Sequence, residues 1–289
     1  MKYIYYPGCS LEGTALEYNL STRAVLAALG ADLSDLEDWT CCGASAAEAS
    51  SRLLSLVLAA RNLALAERSG EEGGVLIPCS ACYLNLRRVG EQVRQEPDLK
   101  QKINEALAEE DLRYEGGLAV RHLLEVLVVD FGPERTAERV TRPLKGVKVA
   151  PYYGCQALRP YATFDDPQMP RSMEPLIEAL GAEVHPWSLG AKCCGAALMN
   201  TKREVALELT GALLEGAEGA DCIVTVCPMC QMNLEAYQDT LSRQRGRDLH
   251  LSILYLPQLM GLAFGLPEED LHLDMNLALY PALKARLNI

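Results

Sequence analysis

The sequence has no long apolar run. Its richest, Leu53 to Ala66, is interrupted by Arg61 and Asn62 and falls short of the ~20 residues that cross a bilayer, so direct membrane insertion is not expected. The segment Met1-Lys2-Tyr3-Ile4-Tyr5-Tyr6-Pro7 lacks the continuous apolar stretch of a signal peptide, which points to the cytoplasm. Basic residues are outnumbered: 27 Lys and Arg against 39 Asp and Glu leave a formal net charge of −12. That balance argues against a nucleic-acid partner, because phosphate binding needs clustered cations. The ferredoxin run Cys-x-x-Cys-x-x-Cys-x-x-x-Cys-Pro is missing, as is a Gly-x-Gly-x-x-Gly dinucleotide loop. Only four histidines are present, and His185, His250 and His272 show no ligand spacing. His122, in a Leu-rich helical segment, is expected to be a core or capping residue.

Cysteine, by contrast, is abundant: eleven in 289 residues. In a reducing compartment that number favours metal ligation or redox chemistry over disulfides. Ten of the eleven fall into an internal repeat. One copy opens Lys2-Tyr3-Ile4-Tyr5-Tyr6-Pro7-Gly8-Cys9, the other Lys148-Val149-Ala150-Pro151-Tyr152-Tyr153-Gly154-Cys155. A helical segment follows, closing at Leu29-Gly30-Ala31 and Leu180-Gly181-Ala182, where glycine suits a left-handed stop. Next come an extended stretch, Cys-Cys-Gly-Ala, and a long helix, about Glu48 to Arg68 or Lys202 to Leu214. The apolar runs Val75–Pro78 and Ile223–Val226 then lead into Cys-x-x-Cys and another helix, with Asn85 and Asn233 three residues beyond. Short strands alternating with helices predict an α/β fold of two related halves, 1–145 and 146–289. Each should have a short, mainly parallel sheet flanked by helices, and by analogy the halves pack about a pseudo-two-fold axis.

The cysteines of one copy are Cys9, Cys41, Cys42, Cys79 and Cys82; those of the other are Cys155, Cys193, Cys194, Cys227 and Cys230. Each Cys-x-x-Cys sits where a strand should turn into a helix, and free N–H groups at a helix start stabilise thiolates. Pro228 fits a first helical turn, where its missing donor costs little. Gly8, Gly43, Gly154 and Gly195 adjoin these cysteines, where a missing side chain lets the backbone come close. Zinc is normally tetrahedral, so a fifth cysteine would be surplus in both copies; a multinuclear centre uses it, with zinc in one half as the alternative. Cys222 has no counterpart and reads as a buried structural thiol. Tyr5, Tyr6, Tyr152 and Tyr153 are expected mainly to pack. The charged stretches Arg23–Asp35 and Glu91–Arg113 read as solvated helical faces.

At these paired motifs the chain resembles the family of the B-type subunits of heterodisulfide reductase, named for its cysteine-rich CCG domain, over nearly its whole length. The resemblance implies two non-cubane [4Fe–4S] clusters, each held by all five cysteines of one set. It implies a substrate disulfide lying between them and reduced by one electron from each, or two thiols oxidised in the reverse direction. It implies partners as well, a C-type iron–sulfur subunit and an A-type flavoprotein. Two variants of this function are implied by relatives, a sulfur-oxidation subunit acting on lipoyl groups and a non-catalytic electron relay. Cys42-Gly43-Ala44-Ser45 and Cys79-Ser80-Ala81-Cys82 look closer to the sulfur-oxidation relatives.

Overall fold

Lys2–Tyr5 and Lys148–Tyr152 are apolar enough to be covered on both faces. In the computed structural model, which describes residues 1–44 and 46–289, they are inner strands of two sheets. The first sheet contains β1 (Lys2–Tyr5), β2 (Asp32–Asp35), β3 (Gly74–Ile77) and β4 (Val120–His122), in the order β2-β1-β3-β4. The second repeats that order as β6-β5-β7-β8, from β5 (Lys148–Tyr152), β6 (Glu183–Val184), β7 (Cys222–Thr225) and β8 (Ser252–Tyr255). Every pairing is parallel, as two α/β halves require.

The two sheets differ at one edge, and a proline accounts for it. β2 pairs with β1 over four positions, but β6 pairs with β5 only at Lys148 and Val149. The Val149 carbonyl accepts from His185 N on the β6 side, so by strand alternation Pro151 presents its missing N–H to the same side. A proline cannot donate there, and the ladder stops.

The helices follow the expected pattern with one correction. The segment predicted as a single helix from Glu48 to Arg68 is two helices, Ala46–Ser50 and Arg52–Ser69. Ser51 between them is extended, and its side chain accepts a hydrogen bond from Leu54 N at 3.3 Å. The first turn of the longer helix is also less buried than its composition suggests, with Leu53 and Leu54 exposed. The second-half counterpart runs Arg203–Gly216; Ala206, Leu213 and Leu214 are buried and Val205 is exposed.

The halves pack reciprocally. Helix Leu16–Ala28 of the first half lies on helix Leu256–Phe264 of the second, and Gly132–Arg139 of the first lies on Glu174–Ala179 of the second. Elements in equivalent positions thus exchange partners, as a two-fold arrangement demands. Tyr18 and Tyr255 stack across the junction at 4.1 Å with an interplanar angle of 5°. One hydrophobic core runs through both halves, from Tyr5 and Leu26 to Leu254 and Phe264.

Candidate metal centres

In a parallel sheet the chain leaves every strand at the same edge, which is where α/β folds assemble their sites. β1 runs through Tyr6-Pro7-Gly8 into Cys9, and β3 through Pro78 into Cys79. Cys79 is the N-cap of helix Ser80–Gln95, with Cys82 in its first turn. Cys227 caps helix Pro228–Ala236 in the same way, and Pro228 occupies the expected first-turn position.

The five thiols of the first half gather close to one another. Cys9 Sγ lies 3.9 Å from Cys41 Sγ. Cys41 and Cys42, Cys42 and Cys82, and Cys82 and Cys79 are near enough to shift one another's ionisation. The second half repeats this, except for a link between its adjacent cysteines. Cys155 and Cys193 shift one another's ionisation, Cys194 Sγ is 3.6 Å from Cys230 Sγ, and Cys230 and Cys227 are coupled likewise. All eleven cysteines are free, and both of these S···S distances far exceed a disulfide bond of ~2.05 Å. Among the described residues, no group of three or more His, Cys, Asp or Glu side chains surrounds a single-ion position.

Neighbouring thiols and backbone N–H groups lower some thiols of each half and raise others. The Cys42 thiol is pulled well down, first by Cys41 and Cys82, with Ala44 N–H and Asn85 adding to them. Cys193 is lowered by Cys155, by Gly195 N–H at 3.3 Å and by the Arg159 guanidinium. Cys227 is lowered by Cys230, then by the backbone N–H groups of Cys230 and Met229 and by Ser80. Cys41, Cys82, Cys155 and Cys230 are pushed up, above all by their thiol neighbours. Each half therefore holds at least one thiol down toward thiolate, the form that binds metal. Five soft donors gathered in each half, with backbone N–H groups directed at Cys42, Cys193 and Cys227, suit an iron–sulfur group.

The frame around the thiols is duplicated as closely as the thiols themselves. Tyr6 O–H donates to the Thr40 carbonyl and Tyr152 O–H to the Lys192 carbonyl, both at 2.8 Å; each acceptor directly precedes a Cys-Cys pair. Burial and the surrounding cysteines push both phenols far up. These tyrosines, expected mainly to pack, also tie down the backbone that enters each Cys-Cys pair. Asn85 Nδ2 donates to the Cys42 carbonyl at 3.1 Å and Asn233 Nδ2 to the Cys194 carbonyl at 2.7 Å. Their matching sequence positions were the only signal of that role. Cys9, Cys41 and Cys193 are exposed, so both pockets reach the surface. A groove of about 560 Å³ lined by Tyr153, Met169, Arg171, Glu174 and Trp187 runs beside the second pocket without reaching a cysteine.

The remaining candidates separate cleanly. Cys222 opens β7, fully buried, with its thiol pushed up by burial. His122 is not within a helix but ends β4 and caps the next one, its Nδ1 accepting from Leu124 N at 3.1 Å. Burial pushes its imidazole down to about 3, so the ring is neutral. His250 lies at the surface between Asp239 and Asp248, at 2.7 and 2.5 Å. Tyr5 and Tyr153 point away from the thiols, to Asn19 and Glu174. Arg23 pairs with Asp35 at 2.5 Å. Ser45 lies outside the described residues.

The profile of the cysteine-rich CCG domain matches the chain twice, at residues 3–87 and 149–235. The chain is 37% identical over 279 residues to the 8-methylmenaquinol:fumarate reductase membrane anchor subunit of Wolinella succinogenes, covering 95% of this chain and 96% of that one. It is 31% identical to the B-type subunit of the ferredoxin:CoB-CoM heterodisulfide reductase of Methanosarcina mazei, covering 93% of this chain and 91% of that one. A protein of Archaeoglobus profundus described as like the B-type subunit of heterodisulfide reductase is 32% identical, with 93% and 92% covered. The crystal structure of a hypothetical protein from Helicobacter pylori shares the fold, with TM-score 0.76 and 19% identity over 96% of this chain. This chain spans 52% of that protein's length. No helix among the described residues is long and apolar enough to cross a membrane.

Proposed function

The chain belongs to the CCG cysteine-rich family, and on that premise we propose that it is the disulfide-reducing subunit of an iron–sulfur oxidoreductase complex. Cys9, Cys41, Cys42, Cys79 and Cys82 would hold one non-cubane [4Fe–4S] cluster, and Cys155, Cys193, Cys194, Cys227 and Cys230 the other. The domains would divide at 145/146. The observation that carries this reading is the gathering of five thiols in each half, with neighbours shifting one another's ionisation and the backbone before each Cys-Cys pair tied to Tyr6 or Tyr152.

When bound, the two clusters supply one electron each, matching the two electrons and two protons that convert one disulfide to two thiols. The chain's own residues do the rest. At Cys227 helix-start N–H groups stabilise anionic sulfur, and burial keeps water from Cys42, Cys79, Cys82, Cys194, Cys227 and Cys230. The exposed rim at Cys9, Cys41 and Cys193 is where a substrate sulfur or an electron donor would approach. Arg159 makes the second-half rim favourable to an anionic substrate. Oxidation of two thiols, including those of a lipoyl group, would use the same residues in reverse. With no dinucleotide loop of its own, the chain would depend on a C-type iron–sulfur subunit and an A-type flavoprotein, assembled in the cytoplasm.

A second reading, a relay subunit passing electrons without acting on a disulfide, is favoured by the 37% identity to a fumarate reductase subunit. Anaerobic metal analysis comes first, with about eight iron per chain and little zinc expected for two four-iron groups. Iron near zero, or zinc in both halves, overturns the proposal; zinc in one half reduces it to a single cluster. Stopped-flow mixing with reduced partner and a panel of disulfides then separates catalyst from relay. Thiol release supports the first reading, and none from any disulfide selects the second.

A further inference from the structure

We propose that the rim of the second centre is a docking surface for an acidic protein, and that electrons are exchanged with that partner there rather than at the first centre. The inference rests on the metal-centre reading above and adds the face and surface charge of the partner.

Two segments in matching positions carry opposite charge. Asp35–Leu54, around Cys41-Cys42, holds Asp35, Glu37, Asp38 and Glu48 against Arg52 alone. Trp187–Ala206, around Cys193-Cys194, holds Lys192, Lys202 and Arg203 against Glu204 alone, the reverse of the chain's overall balance. Ion pairing sharpens the difference. Near the first centre Arg52 binds Glu96 at 2.5 Å, Arg61 binds Asp38 and Glu110, both at 2.8 Å, and Arg23 binds Asp35. Lys192, Lys202 and Arg203 are exposed, and among the described residues none of them pairs with a carboxylate; Arg203 lies over the Tyr237 ring at 5.6 Å. Stability does not account for these cations. Lys202 is the N-cap of helix Arg203–Gly216 and Arg203 opens it, where the helix dipole disfavours positive charge.

The cations adjoin the exposed thiol Cys193. Gly195 packs so closely on the start of that helix that an added Cβ would lie 2.7 Å from Ala206 Cα, and Lys202 N donates to the Leu198 carbonyl at 2.7 Å. Asn233, bonded to the Cys194 carbonyl, brings in helix Pro228–Ala236. Val205 on the first helix and Met232 on the second are each 47% exposed. Arginine and methionine are enriched where proteins meet. A small anion would use the charge but not these apolar groups. Opposite charge on a partner speeds its encounter with this rim, and the acidic first rim repels it.

The test mixes the full chain, loaded anaerobically with iron, with a reduced plant-type [2Fe–2S] ferredoxin, an acidic protein, in stopped flow. Each transfer oxidises the ferredoxin and reduces the chain by one electron, with no proton required. The wild-type rate should fall about tenfold or more between about 20 and about 200 mM salt. K202E/R203E should slow reduction at low salt about tenfold to a hundredfold, without slowing reduction by the methyl viologen radical cation. K102E/R139E makes the same change in net charge on helices Pro97–Leu107 and Gly132–Arg139, which carry no cysteine, and should stay within about twofold of wild type. Equal slowing in the two double variants, or a wild-type rate in K202E/R203E, overturns the inference and leaves the metal-centre reading standing. So does a K202E/R203E chain that keeps the ferredoxin rate but loses turnover of oxidised glutathione, a small anionic disulfide. A chain that takes up no iron overturns the metal centres and the electron exchange together. Calorimetric titration of that chain with ferredoxin still reads the docking surface: salt-sensitive binding lost in K202E/R203E supports it, and no binding sinks it.

Discussion

Gly8 and Gly154 show how closely the backbone is fitted to sulfur. Their φ values are +72° and +70°, and an added Cβ would lie 2.8 Å from Cys82 Sγ or 3.1 Å from Cys230 Sγ. Gly8→Ala should therefore cost about 1–2 kcal/mol in backbone strain and displace a thiol of the first pocket. Iron bound after reconstitution should fall from about eight per chain to about four, because the second pocket is untouched; iron retained in full would show that the contact is relieved by a small shift. Glu235 provides a pH dependence. Burial, aided by Glu17, raises its carboxyl to about 7 from an ordinary 4.5, against hydrogen bonds from the Ala278 and Leu277 N–H groups and from Gln231 Nε2. Between those values the native state binds more protons than the unfolded chain, so this group's contribution falls as pH rises from 4.5 to 7, then levels off. Glu235→Gln stays neutral. It should match wild type near pH 4.5 and exceed it at pH 8 by on the order of 2–3 kcal/mol in urea unfolding of the metal-free chain.

At the scale of elements, the Cys-x-x-Cys helices were readable because a strand, a cysteine and a helix start follow one another without a gap. The break at Ser51 was not. Alanines precede it and leucines follow, beyond Ser50 and Arg52, and helical periodicity alone runs through it. The break lets helix Ala46–Ser50 turn beside the Cys42 loop while Ser51 caps the longer helix. Ser51→Ala should lower unfolding stability by about 1 kcal/mol with iron content unchanged, since the cap serves the helix and touches no thiol. β6 shows a rule overlooked rather than hidden. Pro151 in an inner strand foretells a short edge partner once the side it faces is known.

For the whole molecule, the shared core and exchanged helix pairs imply that neither half unfolds alone. The two tryptophans report on this separately, Trp39 in the first half and Trp187 in the second, each edge-on to a pocket tyrosine. In W39F and W187F chains without metal, the remaining tryptophan should give urea transitions with the same midpoint and slope, allowing for each substitution's own destabilisation. Well-separated transitions would mean that the Tyr18–Tyr255 junction contributes little and that the halves are independent domains.

The sequence by itself determined the repeat, the parallel α/β class and the two sets of five cysteines, because these depend on local periodicity and on residue types with narrow chemistry. It also placed His122 as a capping residue and Cys222 outside the sets, though not the strand end that His122 occupies. Only the tertiary structure decided which thiols adjoin one another in each half, and that Tyr6, Tyr152, Asn85 and Asn233 build their frame. It alone brought Ser80 to the opposite half. Those contacts join residues tens of positions apart, or 146 for Ser80 and Val226, and no pattern along the chain encodes a distance that exists only after two sheets have packed together.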